Sequence, residues 1–307
     1  MTEDDQFERE EAERPEPERP LAPGLYLVGT PIGNLEDITL RALRVLKSAD
    51  RIACEDTRQT QKLLNHFGIS TPTISCHEHN EQQRATELVA EMRGGARIAV
   101  VSDAGMPGIS DPGMTLAAAA IDAGIAVYPI PGANAALSAL VASGLSTANF
   151  LYAGFLPSKA GERRTELERL SGLAEEEEPM TLVFYEAPHR IIETLEDVEA
   201  VWGAACRVVV ARELTKMHEE FLRGPVAEVR SELAGRDRVR GEITLLVEAL
   251  RRRENEIAAA TSVRERVAAL AQQEGLDEMD ALKRVARERG ISKSEAYREL
   301  QRERRKR

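Results

Sequence analysis

Short apolar runs alternate along residues 21–150 with longer stretches in which apolar residues recur every three or four positions. The short runs predict strands, and the longer stretches predict amphipathic helices. The predicted strands are residues 25–29, 51–54, 98–102, 126–130 and 150–153, and the predicted helices are residues 37–47, 81–92, 114–123 and 133–143. This alternation predicts an N-terminal α/β domain over residues 21–153 with a mainly parallel, helix-covered sheet.

The pattern changes near Gly154, where a second α/β domain over residues 154–250 is predicted. A charged helix lies between the segment 156–159 and the acidic run 175–178. The strands predicted after it are residues 182–185, 208–211, 220–224 together with 226–229, and 243–248. Because fewer helices separate these strands, we expect antiparallel pairing in this half.

Residues 251–307 predict a third unit, a small helical module with a basic surface. They carry 16 basic and 11 acidic residues, whereas the whole chain has a formal charge of −11. Helical spacing is marked by Val263, Val267 and Leu270, by Leu282, Val285 and Ala286, and, after a turn at Gly290, by Ile291, Tyr297 and Leu300. Ser292 and Glu295 match a capping box, S-x-x-E. The layout resembles a helix-turn-helix unit. The basic residues at its end are Arg302, Arg304, Arg305, Lys306 and Arg307. These charges favour RNA contact over the alternative of a dimerisation hairpin.

Composition limits the cellular setting. Residues 1–20 contain nine acids and three arginines with few apolar residues, which predicts a disordered acidic tail and not a signal peptide. Elsewhere the apolar stretches are too short to span a membrane. The three cysteines, Cys54, Cys76 and Cys206, include no C-x-x-C pair, so a reduced cytoplasmic setting is predicted.

Several familiar sites are missing from the sequence. The loop after the first strand, residues 29–34, has neither the G-x-G-x-x-G of a dinucleotide site nor the G-K-[ST] of a P-loop. There is also no G-x-S-x-G elbow. The triplet His77-Glu78-His79 is weak support for a metal, and a polar loop is the better interpretation, so no metal is expected.

The most informative segment is residues 100–113, in which an apolar strand runs into a loop with two aspartates, three glycines and two prolines. In open α/β sheets, ligands bind at the carboxyl ends of the strands. Glycine permits close approach of a ligand to the backbone, and proline fixes the loop beforehand. A rigid strand-to-helix turn is the structural alternative, but the density of special residues favours a binding site.

Seven motifs in order now carry a resemblance over residues 25–248. They are Gly-Thr-Pro-Ile-Gly-Asn-Leu (29–35), Glu-Asp-Thr-Arg (55–58), Val-Ser-Asp-Ala-Gly-x-Pro (101–107), Asp-Pro-Gly (111–113), Gly-Phe-Leu-Pro (154–157), Phe-Tyr-Glu (184–186) and Ala-Arg-Glu-Leu-Thr-Lys (211–216). The chain resembles the tetrapyrrole-methylase superfamily. Within it, the motifs are similar to the ribosomal RNA small subunit methyltransferase I family, which 2′-O-methylates a cytidine of 16S rRNA.

The resemblance implies two α/β domains with S-adenosyl-L-methionine in the cleft between them, 16S rRNA within the small ribosomal subunit as substrate, and a homodimer. The cofactor-binding residues it implies are Pro31, Asp103, Ala104, Gly105, Met106, Ala133, Asn134, Ala135, Tyr185 and Leu214. Met106 stands where the family is expected to have a small threonine, and Gly-Ala-Asn follows Pro131 where Gly-Pro-Cys is more usual.

A ribose hydroxyl is a poor acid, so its methylation calls for a base or for a charge that stabilises the developing alkoxide. Glu186, Glu213 and Lys216 are the catalytic candidates, because each lies in a matching motif near a strand end. A structural ion pair is an equally good interpretation of each. Arg58, His189 and Arg190 are expected either to hold RNA phosphates or to cap helices.

Two other functions remain open at this stage. One is C-methylation of a tetrapyrrole, against which the basic tail and the Gly-Thr-Pro-Ile-Gly-Asn loop argue, since the tetrapyrrole branch typically has Gly-x-Gly-Pro-Gly-Asp there. The other is a non-catalytic ribosome-assembly factor that retains only the cofactor fold.

Overall fold

The computed structural model describes residues 20–77, 79–173, 179–250, 262–274, 276–288 and 292–304. The predicted acidic tail lies outside the described residues except for Pro20, as do the acidic run 175–178, Gly290, Ile291 and the basic residues 305–307. Within the described part, no helix is long and apolar enough to cross a membrane.

The first sheet has five strands in the order β3-β2-β4-β1-β5, and every neighbouring pair is parallel. Its strands are β1 (Gly24–Val28), β2 (Arg51–Cys54), β3 (Thr73–Ser75), β4 (Arg97–Val101) and β5 (Val127–Ile130). Its helices are α1 (Leu40–Ser48), α2 (Thr57–His66), α3 (Glu81–Arg93), α4 (Met114–Asp122) and α5 (Ala135–Ser143), with a 3-10 turn at Leu35–Asp37. The predicted parallel, helix-covered sheet is confirmed.

Helices cover both faces of this sheet, as the strand pleat requires. Successive side chains of a strand point to opposite faces. Tyr26 and Val28 therefore pack with α1 and α2, whereas Leu25 packs with α3 and α4. Parallel strands buried on both faces have nearly continuous apolar sequences, and this is why the short apolar runs located them.

The second sheet has the order β6-β7-β10-β8-β9. Its strands are β6 (Phe150–Phe155), β7 (Met180–Glu186), β8 (Arg207–Arg212), β9 (Glu220–Pro225) and β10 (Ile243–Ala249), and its helices are α6 (Ala160–Ser171), α7 (Ile191–Trp202) and α8 (Val226–Ala234). Only the β6–β7 pair is parallel among these neighbours, so the expected antiparallel pairing is confirmed. The strand β6 belongs to this sheet, so the boundary predicted at Gly154 lies inside a strand of the second domain.

One predicted strand is wrong. Residues 226–229 form the first turn of α8, not an extension of β9. Pro225 precedes the helix, and Val226, Val229 and Leu233 are buried at helical spacing. Proline favours a helix start because its missing N–H is not needed there. The apolar run was too short for its period to distinguish a strand from a helix.

The two sheets are joined through α5. On the face of the second sheet away from α6 and α7, Val183, Val209 and Leu246 pack against Ala139 and Leu140 of α5. Ile32, from the loop after β1, belongs to the same apolar cluster. The loops at the carboxyl ends of the first sheet therefore lie against the second sheet, and this contact creates the cleft described below.

The C-terminal helices α9 (Val263–Glu274), α10 (Glu278–Glu288) and α11 (Lys293–Arg304) form a third unit with its own apolar core. That core contains Val267, Leu282 and Leu300. At α11 the Glu295 amide donates to Ser292 Oγ over 3.2 Å, and the Ser292 amide donates to Glu295 Oε2 over 2.9 Å. The predicted capping box is confirmed.

Candidate active site

A cleft with a volume of about 450 Å³ lies between the loops of the first sheet and the second sheet. Cavities that bind small molecules usually have volumes of about 300–1,000 Å³. The lining comprises Ile32, Asp103, Ala104, Gly105, Met106, Ile109, Ser110, Asp111, Asn134, Ala135, Phe155, Tyr185, Glu186, Ala187, Pro188, Ala211, Leu214, Glu242, Ile243 and Thr244. Eight of the ten predicted cofactor residues belong to it: Asp103, Ala104, Gly105, Met106, Asn134, Ala135, Tyr185 and Leu214.

The first wall is the loop that follows β4, and it is fixed by hydrogen bonds to the loop after β1. The amides of Thr30 and Gly105 each donate to the other residue's carbonyl, over 2.9 and 3.1 Å. Ser102 Oγ donates to the carbonyls of Ala104 and Gly105. Gly105 has φ +81°, a conformation that residues with a Cβ rarely adopt. The loop is therefore held in one shape by the protein itself.

Two glycines bring the β1 and β5 loops into contact. A Cβ on Gly132 would lie 2.8 Å from the backbone of Gly29, and a Cβ on Gly29 would lie 2.7 Å from the Cα of Gly132. Neither position has room for a side chain. Asn134 then begins α5 and accepts a hydrogen bond from the Leu137 amide over 2.9 Å, so it is fixed as a helix cap on the cleft wall.

Carboxylates give this wall its charge. Burial raises the pKa of Asp103. A hydrogen bond from the Asp56 amide lowers this pKa, whereas the negative charge of the Asp56 side chain raises it further. Burial, with the negative charges of Glu55 and Asp103, raises the pKa of Asp111 to about 6. Within the described residues, no salt bridge involves Asp103 or Asp111. A cationic ligand would stabilise both carboxylates.

Aromatic rings form the opposite wall. The ring centroid of Tyr185 lies 5.2 Å from that of Tyr152 and 5.7 Å from that of Phe155, both in edge-to-face geometry. The Tyr152 hydroxyl is 2.7 Å from Ser110 Oγ in the aspartate loop. Burial raises the pKa values of Tyr152 and Tyr185, which keeps both hydroxyls neutral. This wall offers flat apolar surface to a ligand.

Glu186 lines the cleft but is fully engaged in the protein. Its Oε1 accepts from the Ala187 amide over 2.7 Å and from Arg190 over 2.6 and 2.9 Å, and its Oε2 accepts from Thr194 Oγ1 over 2.7 Å. The side chain is 0% exposed. Both oxygens of this carboxylate therefore already have partners within the protein. The geometry favours the structural ion pair for Glu186 and Arg190.

Glu213 and Lys216 lie together in the turn after β8. Lys216 Nζ is 2.9 Å from both Glu213 Oε1 and Glu242 Oε2. Burial alone would lower the pKa of Lys216, but the two carboxylates outweigh it and raise the pKa. Hydrogen bonds from Lys216 and from the Glu242 amide lower the pKa of Glu213. Lys216 therefore stays a cation, beside Glu242 of the cleft lining.

The backbone of this turn is strained. Glu213 and Thr215 have φ values of 52° and 64°, and Leu214 between them is buried against the cleft. Left-handed backbone at a residue with a side chain costs about 1–3 kcal/mol and persists only where the surroundings enforce it. Here the Asn34 amide donates to Thr215 Oγ1 over 3.2 Å, so the two motifs 29–35 and 211–216 meet across the domains.

The remaining predicted residues do not line the cleft. Pro31 is buried beside Ile32, and Ala133 packs in the cluster that joins the sheets. Arg58 lies in the first turn of α2, in a separate open pocket with Lys62. His77 and His79 face each other edge to face, and the described residues contain no group of three metal-ligating side chains.

Asp111, Phe155 and Glu242 line the cleft but are not among the residues predicted from the sequence. Asp111 and Phe155 each lie in a quoted motif, Asp-Pro-Gly and Gly-Phe-Leu-Pro, and those motifs were the signal that was available. Glu242 lies in no quoted motif. It enters the site through its contact with Lys216, which depends on the pairing of β8 with β10.

Comparisons with known proteins identify the family of this chain. Residues 24–230 match the family model of the tetrapyrrole (corrin/porphyrin) methylases. A protein named ribosomal RNA small subunit methyltransferase I from Halalkalibacterium halodurans is 47% identical over 279 residues, which cover 89% of this chain and 93% of the relative. The protein of the same name from Bacillus subtilis is 44% identical over 281 residues, which cover 89% and 92%.

Solved structures agree at the level of the fold. The methyltransferase CobJ is 18% identical with a TM-score of 0.55, over 74% of this chain and 94% of that chain. The cobalt precorrin-4 methyltransferase CbiF is 16% identical with a TM-score of 0.51, over 73% and 94%. At these identities the likeness concerns the two-sheet architecture alone.

Proposed function

Since the chain belongs to the ribosomal RNA small subunit methyltransferase I family of the tetrapyrrole methylases, we propose that it 2′-O-methylates a cytidine ribose of 16S rRNA, with S-adenosylmethionine as methyl donor. The observation that carries the proposal is a preformed cleft in which the motifs of both domains meet, with carboxylates on one wall and aromatic rings on the other.

The donor set of the cleft fits S-adenosylmethionine, which combines an apolar adenine with a sulfonium and an ammonium cation. Asp103 and Asp111 offer negative charge, and both have raised pKa values that a cation would relieve. Gly105 and Ala104 offer backbone atoms at close range because neither has a large side chain. We propose that these residues, with Asn134, Ala135 and Leu214, hold the cofactor. When bound, the cofactor supplies an electrophilic methyl group.

The protein's own contribution is first to position the acceptor. The cleft is held by Thr30–Gly105 backbone bonds on one side and by the Asn34–Thr215 bond between the domains. Fixed placement of an attacking oxygen in line with its target supplies much of the rate of such a transfer.

We propose that Lys216 supplies the second contribution, a positive charge toward the oxygen that is methylated. A cation near a ribose hydroxyl stabilises the negative charge that develops on the oxygen, so the hydroxyl proton passes to water as the oxygen attacks the methyl group. Lys216 keeps its proton at Nζ, since Glu213 and Glu242 raise its pKa. Glu213 thus positions Lys216, and Glu186 holds the start of α7 through Arg190.

The substrate and assembly remain part of the proposal. We propose that the basic helical module around α9, α10 and α11 contacts rRNA in the small subunit, that the enzyme is a homodimer, and that it works in the cytoplasm with the ribosomes. The module's core contains no residue of the cores of the two sheets, so it is a separate packing unit.

The acceptor can be tested directly. Purified protein is incubated with cofactor labelled in the methyl group and with unmodified small subunits, free 16S rRNA or a precorrin, in separate reactions. We expect label in the rRNA. Label in the precorrin alone would replace the proposal with tetrapyrrole methylation, and no transfer to any acceptor despite cofactor binding would favour the non-catalytic assembly factor.

A further inference from the structure

Phe155 is an apolar ring that the cleft leaves open to solvent. Its side chain lines the cleft, yet the residue is 58% exposed. Tyr185, against which it rests edge to face, is more buried. An exposed aromatic ring at the mouth of a binding cleft is in unfavourable contact with water unless a ligand covers it.

A β-bulge aims this ring at the cleft. In the pairing of β6 with β7, Tyr152 lies opposite Val183, but the register shifts so that Phe155 lies opposite Tyr185. Without the extra residue, Tyr152 and Phe155 would point to opposite faces of the sheet, because side chains alternate along a strand. Gly154, with φ +66°, adopts the left-handed conformation within this irregular segment. Bulges next to active sites commonly re-aim a side chain in this way.

The chain after Phe155 is anchored, so the ring sits on a rigid support. Arg190, which pairs with buried Glu186, donates to the Leu156 carbonyl over 3.4 Å. Arg163, which is 1% exposed and pairs with Asp197 over 2.7 Å, donates to the Ser158 carbonyl over 3.5 Å. Two buried ion pairs thus hold the carbonyls of the segment that carries the ring. A rigidly held aromatic ring loses little conformational entropy when it contacts a ligand.

We propose that Phe155 stacks on the base of the nucleotide that is methylated. This inference rests on the proposed function and adds the residue that recognises the target nucleotide. A ribose can enter the cleft only if its nucleotide leaves the RNA stack, and an exposed aromatic ring replaces part of the lost stacking. The residues proposed for the cofactor lie mainly in loops of the first sheet, whereas Phe155 projects from the edge strand of the second. The RNA is therefore the ligand that Phe155 meets.

The test uses the full-length protein, labelled cofactor and unmodified small subunits. Four variants are compared with the wild type: Phe155→Ala, Phe155→Leu, Phe155→Trp and the control Phe150→Ala. Phe150 lies on the same strand and is 45% exposed, but it does not line the cleft. Initial rates give kcat/KM for the subunits, and calorimetry without RNA gives the cofactor Kd.

Stacking of one base on an aromatic ring is worth about 5- to 100-fold in affinity. We expect kcat/KM for subunits to fall by that factor in Phe155→Ala and Phe155→Leu. It should stay near the wild-type value in Phe155→Trp and Phe150→Ala. The cofactor Kd should stay within about twofold of wild type in all four variants.

Three results would overturn the inference. Equal kcat/KM in Phe155→Ala and wild type would remove the residue from recognition. Full activity in Phe155→Leu would show that apolar volume suffices without a flat ring. A cofactor Kd weakened as much as kcat/KM would assign the ring to the cofactor's adenine. If the wild type labels no RNA at all, the proposed function fails, and the inference fails with it.

Discussion

Asp103 supplies one of the negative charges of the cleft, and its removal tests its role in cofactor binding. It lies on the cleft wall with a pKa raised mainly by burial. Loss of a charge-assisted hydrogen bond costs about 1.5–3 kcal/mol. We therefore predict that Asp103→Ala weakens cofactor binding about 10- to 100-fold in calorimetry, whereas Asp122→Ala on the exposed face of α4 leaves it unchanged. Equal affinity in Asp103→Ala and wild type would remove Asp103 from the cofactor site.

Asp111 predicts how cofactor affinity depends on pH. The pKa of Asp111 is raised to about 6, so the carboxylate is charged above that pH and takes up a proton below it. A cation binds the charged form, and binding below pH 6 must therefore release a proton. Affinity is full at neutral pH and falls by up to about tenfold per pH unit as the pH drops below about 6.

In Asp111→Asn the fall in cofactor affinity at low pH should disappear. The cofactor affinity of this variant at pH 7.5 should already resemble that of the wild type at low pH. The measurement is calorimetry from pH 5 to 8 in buffers of matched ionic strength. Glu55, Asp103, Tyr152 and Tyr185 are the titratable groups that interact with Asp111. Of these, Asp103 also has a raised pKa, so a small residual slope in the variant is assigned to it.

At the scale of elements, the strained turn between β8 and β9 carries the catalytic proposal. Lys216→Met keeps the aliphatic stem that packs on Gly33 and removes the ammonium group. We predict that kcat falls about 100-fold, as is typical when one stabilising charge or donor is removed, while the cofactor Kd is unchanged. Lys216→Arg should recover part of the rate.

The matched control is Lys159→Met, because Lys159 forms an exposed ion pair with Glu162 and does not line the cleft. It should have wild-type kcat. A Lys216→Met enzyme with normal kcat would show that the salt bridge with Glu213 and Glu242 serves the turn's structure alone, and the charge that stabilises the acceptor would have to be sought elsewhere.

Elements also show how far sequence alone determines this fold. Buried parallel strands were predictable because their apolar runs are continuous. The helix α2 was not, because its ten residues include only two apolar ones, Leu63 and Leu64. Asp103 and Asn134 were predictable because they follow β4 and β5, whose carboxyl ends share an edge of the first sheet. Leu214 reaches the same cleft from the second sheet, and only its motif pointed to it. The orientation of Phe155 depends on a bulge. The raised pKa of Asp111 depends on its burial and on the charges of Glu55 and Asp103. Neither feature is encoded in a local sequence pattern.

At the scale of the whole molecule, the separate core of the C-terminal unit allows the RNA role of residues 251–307 to be tested. A chain ending at Leu250 retains both sheets and the complete cleft, so it should fold and bind cofactor with wild-type Kd. Its rRNA affinity should be weaker and less dependent on salt, because each lost phosphate contact reduces the slope of log K against log salt.

Binding is measured for both chains across a salt series, with the oligomeric state followed by sedimentation. Superimposable lines would contradict an RNA role for the module. Conversion from dimer to monomer on truncation would identify the three helices as the dimerisation hairpin that the sequence left open.

The central claim is that the acceptor is a ribose oxygen of 16S rRNA, and the most direct test is the identity of the methylated nucleoside. Unmodified small subunits are labelled with the wild-type enzyme, and their rRNA is digested to nucleosides and separately hydrolysed in alkali. A methylated 2′-oxygen cannot attack the neighbouring phosphate. We predict labelled 2′-O-methylcytidine and one alkali-resistant linkage. A labelled base on an unmodified ribose, with every linkage cleaved, would contradict the account.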